Sequence, residues 1–384
     1  MDKVRLGIAG LGNMGATHAS SILAGKINRL ELTAVCDTDP AKTARFPQGK
    51  GFSSADAMIG SGLIDAILIA TPHYSHTTIG MAALKAGLHV LVEKPISVHK
   101  ADCERLIAAH QDQRQVFAAM FNQRTDPGYR RIRGLIREGE LGEIRRVNWI
   151  ATDWFRTGAY YASGGWRATW AGEGGGVLLN QCPHHLDLFQ WMFGMPKRVR
   201  AFCHFGRYHD IEVEDDVTAC LEFANGATGV FITSTGEAPG TSRLEITAEG
   251  GRVVYEDDKI HYRRNTVPMS EFSRTAVQAF VRPESMDALI PASDHGGQHD
   301  EVLQNFTDAI LEGKPLIAPA GEGIHSVELG NAMLLSTWLK RTIELPLDAP
   351  HFERLLQQHV RESKFKKKVV APVIGEDFAK SFGR

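Results

Sequence analysis

Lys94, within Glu93-Lys94-Pro95, and His184, within Asn180-Gln-Cys-Pro-His184-His185, are the residues whose types and settings could move a proton. The apolar run His89-Val-Leu-Val leads into Glu93 and places Lys94 at the end of a buried strand. A lysine at such an end can meet a substrate hydroxyl, and burial with positive charge nearby would depress its pKa, as a general base requires. Local sequence alone reads equally well as a surface lysine paired with Glu93. Pro95 fixes the following turn through a trans or a cis bond. Around His184 the chain reads Gly174-Gly-Gly-Val-Leu-Leu-Asn180. Three glycines bring backbone close to a ligand or form a flexible joint. If the helix begins at Val177, Asn180 and His184 fall at i and i+4 on one face, and Pro183 marks a kink or helix start. His185, about 100° further round such a helix, is expected to pack or to cap. Adjacent histidines rarely face one ion, and neither an HxxxH pattern nor a cysteine partner accompanies them, so no metal is expected.

These residues need an element to work on, and the first forty positions supply it. Val4-Arg-Leu-Gly-Ile-Ala9 reads as a buried strand and Gly10-Leu-Gly12-Asn13-Met14-Gly15 turns into a helix reaching about Leu23. Leu32-Thr-Ala-Val-Cys36 is a second strand ending on Asp37, close to the spacing of about 20 residues of a dinucleotide-binding fingerprint. The first glycine makes the turn, the second lets backbone approach a pyrophosphate, and the third lets helix pack on strand. Asp37 would bind the adenine ribose hydroxyls and repel a 2′-phosphate. Thr38 supplies no cation to hold one, so NAD is expected rather than NADP. Thr71-Pro72-His73 and Glu93-Lys94 end later strands, where a doubly wound sheet binds ligands. His73 is expected to line the cleft, and His76 to sit in the next helix's first turn. Tyr160-Tyr161, Trp166-Arg167 and Trp170 lie in a polar loop before the glycines. Aromatic faces beside polar donors suit a sugar ring, or fill a domain interface. Arg156, Arg167 and Arg282 could receive an anionic substituent.

Strand and helix signals alternate to about residue 122, closing a six-stranded parallel sheet with Val116-Phe-Ala-Ala-Met120. Gly87 reads as the residue that ends the helix from about Ser75 to Ala86. Asp126-Pro127 opens a helix to about Glu138. From Ile144 to Tyr262 the pattern has period two, and Asn225-Gly226 marks a hairpin. Two helices follow, at about His299–Leu311 and Glu322–Arg341, and a segment helical from His351 becomes basic at Lys364-Phe-Lys-Lys-Lys368, which reads as a solvated tail. The fold class is an α/β Rossmann domain over 1–123, then an α+β domain over 124–384 with a large, open, mostly antiparallel sheet.

Over 384 residues, 43 Lys and Arg face 45 Asp and Glu, a net charge of −2 that calls for neither nucleic acid nor an anionic membrane. No window approaches ~18 unbroken apolar residues, and the N-terminus carries no signal region. Five cysteines, an odd number without CxxC spacing, argue for a reducing cytoplasm. Cys36 and Cys220 fall in strand-like runs and are expected to be buried.

Together the glycine turn, Glu93-Lys94-Pro95, Phe121-Asn122-Gln123-Arg124 with Pro127-Gly-Tyr129, the glycine-rich motif ending in His184, and Phe306-Thr-Asp-Ala-Ile310 with Glu312-Gly-Lys-Pro315 resemble the Gfo/Idh/MocA oxidoreductases over nearly the whole chain. The resemblance implies tightly held NAD(H) or NADP(H), hydride transfer at a sugar or cyclitol carbon, and a homodimer or homotetramer built through the C-terminal sheet. It makes Lys94 the catalytic lysine and His184 the catalytic histidine. With the fingerprint, the expected cofactor set is Gly10, Gly12, Asn13, Met14, Gly15, Asp37, Thr71, Pro72, His73, His76, Glu93, Lys94, Asn122, Trp166 and Arg167. The expected substrate set is Lys94, Tyr160, Trp166, Asn180 and His184. Many dehydrogenases of the family carry Asp where this chain has Asn180; a neutral amide positions a hydroxyl but cannot stabilise an imidazolium. The leading expectation is an NAD-dependent sugar or polyol dehydrogenase. The alternative is an NAD-retaining glycoside hydrolase that oxidises transiently, eliminates and returns the hydride. A non-enzymatic NAD-sensing protein would have no use for a proton-transfer pair.

Overall fold

The computed structural model describes residues 2–292 and 294–370. The first half alternates as its apolar runs require: β1 (Val4–Ala9), α1 (Asn13–Leu23), β2 (Leu30–Cys36), α2 (Pro40–Thr43), β3 (Lys50–Phe52), α3 (Ala55–Ile59), β4 (Ala66–Ile69), α4 (Tyr74–Lys85), β5 (His89–Val92), α5 (Lys100–Ala108) and β6 (Phe117–Ala119). The strands form a six-stranded parallel sheet in the order β3-β2-β1-β4-β5-β6. Leu6, Ile8, Ile67, Leu68, Val90 and Leu91 are fully buried, as strands covered on both faces demand. The order reverses between β1 and β4, which opens the crevice at their carboxyl ends. β3 is the strand that the sequence pattern does not locate; it is only three residues long and mostly exposed.

A 3-10 turn (Asn122–Thr125) leads into α6 (Pro127–Arg137), whose N-cap Asp126 accepts from the Gly128 and Tyr129 amides. The rest comprises β7 (Ile144–Ala151), α7 (Gly158–Ala162), α8 (Pro183–Phe193), β8 (Arg198–Phe205), β9 (Glu214–Glu222), β10 (Thr228–Ser234), β11 (Ser242–Ala248), β12 (Gly251–Glu256), β13 (Lys259–Asn265), α9 (Met269–Thr275), β14 (Ser285–Pro291), α10 (Gln298–Glu312), α11 (Gly323–Leu339), β15 (Ile343–Glu344) and α12 (Ala349–Glu362). Among the described residues its strands make a nine-stranded sheet, β14-β13-β12-β11-β7-β10-β9-β8-β15, antiparallel except for β7 beside β10. Asn225-Gly226 turns β9 into β10, with Gly226 at φ +86. Trp149 on β7, Phe231 on β10 and Phe189 on α8 pack into one core beneath α8 and α11.

Two features tie the halves together. Val302, Leu303 and Phe306 of α10 are buried in the core of the N-terminal sheet, and Ala118 of its edge strand bridges Pro319. Arg124 and Asp187, each 1% exposed, form a bidentate ion pair at 2.7 and 2.6 Å that joins the 3-10 turn to α8. Removing one partner of such a pair costs about 3–5 kcal/mol, because the other charge stays buried.

Candidate active site

The glycine turn has the mechanical properties its spacing implies. Gly10 sits at φ +89, and a Cβ there would lie 2.6 Å from the Ala70 carbonyl oxygen; a Cβ on Gly15 would fall onto the Gly10 oxygen. A Cβ on Gly12, by contrast, would meet nothing within 4 Å. Two glycines therefore close β1 onto α1 and β4, and the third leaves a bare surface for a phosphate. No side chain caps α1, so its first amides remain for an anion. Leu11, Gly12, Asn13, Ala16, Lys42 and Arg45 line a groove of about 620 Å³ there. At its side Asp37 accepts from the Leu11 amide at 2.8 Å and the Asp39 amide at 3.0 Å. Burial alone would raise its carboxyl, but these amides and Lys42 outweigh that and hold it below the usual range. Thr38 supplies no cation, but Lys42 of α2 lies 3.4 Å from both carboxylate oxygens of Asp37. At the ends of β4 and β6, Thr71 Oγ1 and Asn122 Oδ1 are buried without a hydrogen-bond partner among the described residues. A dinucleotide with hydroxyl and amide groups fits these orphaned atoms and the bare glycine surface.

His76 lies in the first turn of α4, as expected. Its two ring nitrogens each lie 2.8 Å from a main-chain carbonyl, of Pro95 and of Thr71. Its ring is thus spent on joining two turns, and it acts on a cofactor only through them. His73 is buried beside Trp166, with ring centroids 5.6 Å apart, and Nδ1 lies 3.4 Å from the Glu173 carbonyl.

Lys94 follows β5, and its peptide bond to Pro95 is cis. Its Nζ donates to the main-chain carbonyl of Asn180 at 2.9 Å. Burial, with Arg156 and Arg167 acting in the same sense, lowers its pKa against the pull of Glu93 and Glu173. Glu93 is buried and 2.7 Å from His18 Nε2 on α1. Burial would raise its carboxyl, but the His18 contact and nearby positive groups bring it down to about 2. His18 packs against His299, ring centroids 5.5 Å apart, and burial pulls His299 down to about 4.

The turn carrying Asn180 is not a helix from Val177. Helix α8 begins at Pro183, and residues 174–181 form turns. Gly176 and Leu178 donate to Oε1 of the fully buried Glu214, at 2.8 and 3.0 Å. A Cβ on Gly176 would strike the Glu214 carbonyl. Asn180 and His184 are therefore not on one helical face, and it is the Asn180 main chain that meets Lys94. The Asn180 side-chain amide donates to Glu173, whose other oxygen accepts from Ala168 N at 2.6 Å. His184, in the first turn of α8, has a buried Nδ1 without a hydrogen-bond partner among the described residues. Burial, with Lys94 and His299 nearby, holds its pKa well below the ordinary value, so it is neutral at pH 7. His185 packs against Trp149 and Trp154, as expected.

The aromatic loop divides. Tyr160 joins the site: its hydroxyl lies 3.3 Å from Asn180 Oδ1 and accepts from Arg167 Nη1 and Gln181 Nε2, both at 3.0 Å. Trp166 lies between His73 and Arg167. Tyr161 and Trp170 do not face the cleft. Tyr161 bonds Thr235 and stacks near His209, and Trp170 packs against Trp338, Phe205 and His359. Arg282 is exposed and makes no hydrogen bond or ion pair to these residues. Two further corrections concern the tail and a cysteine. Lys367 donates to the Arg167 carbonyl and the Val370 amide to the Ala162 carbonyl, so the basic segment lies along the loop while Lys364, Lys366 and Lys368 stay exposed. Cys220 is exposed.

Sequence reasoning missed Glu173, His18, His299, Gln181, Lys42 and Lys367. His18 alone had a local signal, a polar residue beside Ala19 and Ile22 on the buried side of α1. Among the described residues no group of three or more His, Cys, Asp or Glu could hold a metal ion, and no helix is long and apolar enough to cross a membrane.

Two family profiles match the chain: the oxidoreductase family NAD-binding Rossmann fold over residues 4–121, and the GFO/IDH/MocA C-terminal domain over 129–254. Inositol 2-dehydrogenase of Rhizobium meliloti (strain 1021) is 24% identical over 349 residues, spanning 89% of this chain and 99% of that one. The oxidoreductase YdgJ of Escherichia coli (strain K12) is 31% identical over 196 residues, about half of either chain (51% and 55%). The crystal structure of the WlbA dehydrogenase from Bordetella pertussis in complex with NADH and UDP-GlcNAcA superposes with a TM-score of 0.74 at 26% identity, covering 90% of this chain and 100% of that one.

Proposed function

The chain belongs to the Gfo/Idh/MocA family of NAD-binding oxidoreductases, and we propose that it oxidises a ring hydroxyl of a sugar or cyclitol with Lys94 as the proton acceptor. The observation that carries this reading is the setting of Lys94. It is half-buried, lowered in pKa, and held by the Asn180 carbonyl at the carboxyl edge of the sheet.

When bound, NAD supplies the hydride acceptor. Gly10, Gly12, Asn13, Met14 and Gly15 would hold its pyrophosphate. Asp37 would hold the adenine ribose, and Thr71, His73, Asn122 and Trp166 its nicotinamide half. Lys94, deprotonated, takes the proton of the substrate hydroxyl. His184, neutral, holds that hydroxyl or relays the proton. Asn180 and Tyr160 orient a second hydroxyl of the ring. On this reading the 1–123 unit carries the proton acceptor Lys94 and every cofactor group but Trp166, and 124–384 carries Trp166 with the other substrate groups. A sugar ligand in WlbA and a cyclitol in the name of inositol 2-dehydrogenase support this substrate class. The large sheet carries exposed Phe202, Met286 and Leu289, a surface on which two or four copies would associate.

The test incubates the protein with NAD and a panel of free sugars, cyclitols and aryl glycosides, recording absorbance at about 340 nm together with aglycone release. NADH formed in step with substrate loss is expected. Aglycone release without net NADH would replace this reading with a redox-neutral glycoside cleavage.

A further inference from the structure

We propose that Gln181 determines which ring is accepted: its Oε1 takes the proton of a substrate hydroxyl next to the one that reacts, so the ligand must present a free O–H there; this rests on the oxidoreductase reading just given. The Gln181 side chain is buried, at 4% exposed. Its Nε2 donates to the Tyr160 oxygen at 3.0 Å, and its Oε1 is buried with no hydrogen-bond partner among the described residues. An amide oxygen can accept two hydrogen bonds, and a buried one left without any is destabilising.

Which end of the amide is left over follows from a chain of donors and acceptors that begins at Glu173. One oxygen of its carboxylate accepts from Ala168 N at 2.6 Å. The other, in a group faced by the positive charges of Arg167 and Lys367, takes the Nδ2 side of the Asn180 amide. Asn180 Oδ1 is thereby turned to Tyr160, whose hydroxyl donates to it at 3.3 Å. Burial raises the Tyr160 phenol, so it keeps the proton that it donates. The phenol oxygen then only accepts, from Arg167 Nη1 and Gln181 Nε2. A flipped Gln181 amide would set two acceptors against each other. Oε1 is therefore the free end, and what it lacks is a donor.

Gln181 sits among the groups already placed in the site. It follows Asn180, whose carbonyl holds Lys94 Nζ at 2.9 Å. It precedes His184, whose buried Nδ1 also has no hydrogen-bond partner among the described residues. A polyol ring carries hydroxyls on adjacent carbons, so one ring can present its reacting hydroxyl to Lys94 and a neighbouring one to Gln181. Tyr160, its oxygen engaged by one donated and two accepted bonds, acts on the ring by orienting that amide. A substituent that only accepts, such as fluorine, would meet the Gln181 oxygen with repulsion, and a hydrogen would leave it bare.

The experiment uses glucose, galactose and inositol, each with its monodeoxy and deoxyfluoro analogues, because fluorine is close to a hydroxyl in size but donates no hydrogen bond. Calorimetric binding to the NADH-loaded protein reads the contact, and kcat/KM of the NAD-loaded protein reads its part in turnover. At one ring position both analogues are expected to lose about 10- to 100-fold against the hydroxyl compound. Gln181→Met, of similar length but without the amide, should shrink that loss to a few-fold while NAD affinity stays as in the parent. Gln181→Glu, which keeps an acceptor, should preserve the loss, and it decides the matter if Gln181→Met no longer binds NAD. The inference is overturned if no position shows the loss, if the fluoro analogue binds as well as the hydroxyl compound where the deoxy analogue does not, or if Gln181→Glu accepts both. It is equally overturned if the loss survives in Gln181→Met, as it would were Oε1 met by water instead. NADH formation in those cases leaves the oxidoreductase reading intact. Gln181-dependent binding without any NADH would do the reverse.

Discussion

The side-chain amide of Asn180 donates to the buried carboxylate of Glu173, while the main-chain carbonyl of the same residue accepts from Lys94 Nζ at 2.9 Å. A negative group 1% exposed is thereby fixed behind the residue that holds the proposed base. The neutral amide at position 180 does not leave the site without an anion; the anion enters from seven residues earlier.

Glu173→Ala should therefore loosen Asn180 and Lys94 together. Leaving a buried amide unpaired costs ~1–3 kcal/mol, so kcat should fall about 10- to 100-fold. Glu173→Gln, which keeps an acceptor oxygen, should recover part of the loss. Steady-state kinetics with saturating NAD check this; an unchanged kcat in Glu173→Ala would show that the contact has no part in turnover.

The pH profile carries a sign that can be worked out. Oxidation requires Lys94 without its proton, so the rate should rise with pH through a midpoint below the ordinary 10.5. Burial is the largest cause of that lowering, with Arg156 and Arg167 reinforcing it and Glu93 and Glu173 opposing it. Arg167→Ala removes a positive neighbour, which raises the Lys94 pKa and moves the midpoint to higher pH. Glu173→Gln removes a negative neighbour and moves it lower. Each shift should be up to about one unit, and movement of both in the same direction would contradict the charge arrangement.

Asp37 and Lys42 pair beside the groove proposed to hold the cofactor. Asp37→Ser removes the carboxylate that repels a 2′-phosphate and frees Lys42, with Arg45 also on the groove. The ratio of NADP to NAD efficiency should rise about tenfold or more, given ~1.5–3 kcal/mol for a charged hydrogen bond. The double variant Asp37→Ser, Lys42→Ala should lose the gain on NADP.

Glu214 links pH to stability. Burial raises its carboxyl from 4.5 to about 7 in the folded chain. A raised folded pKa means stability that is whole below pH 4.5 and lost as pH rises through about 7. The loss is ~3 kcal/mol at 1.36 kcal/mol per unit. Glu214→Gln, which can still accept from the Gly176 and Leu178 amides, should abolish that slope in denaturant melts between pH 5 and 8. A slope unchanged in the variant would assign it to other groups.

What could be read from the sequence was what depends on near neighbours. The apolar runs at Val4–Ala9 and Ala66–Ile69 place a doubly buried sheet. Gly87 lies at φ +86 just after α4, and Asn225-Gly226 closes its hairpin. Lys94 and His184 were visible because a strand end and a glycine-rich turn precede them. The illegible parts depend on contacts across long stretches of chain. His18 meets Glu93 and Lys367 meets Arg167 only after folding. Asn180 shows its carbonyl rather than its side chain to Lys94, because Glu214, from another strand, holds residues 176 and 178 in a turn where periodicity alone allows a helix. Cys220 sits in a strand whose alternation turns it outward, a choice of face that its own sequence run did not decide.

Replacing the lysine tests the central claim most directly. Lys94→Ala, with NAD binding followed by titration and NADH formation followed on the best substrate of the panel, should bind NAD as the parent does and lose turnover by three orders of magnitude or more, on the order of a lost general base combined with lost positioning. Turnover within a few-fold of the parent would contradict the assignment of Lys94 as the proton acceptor.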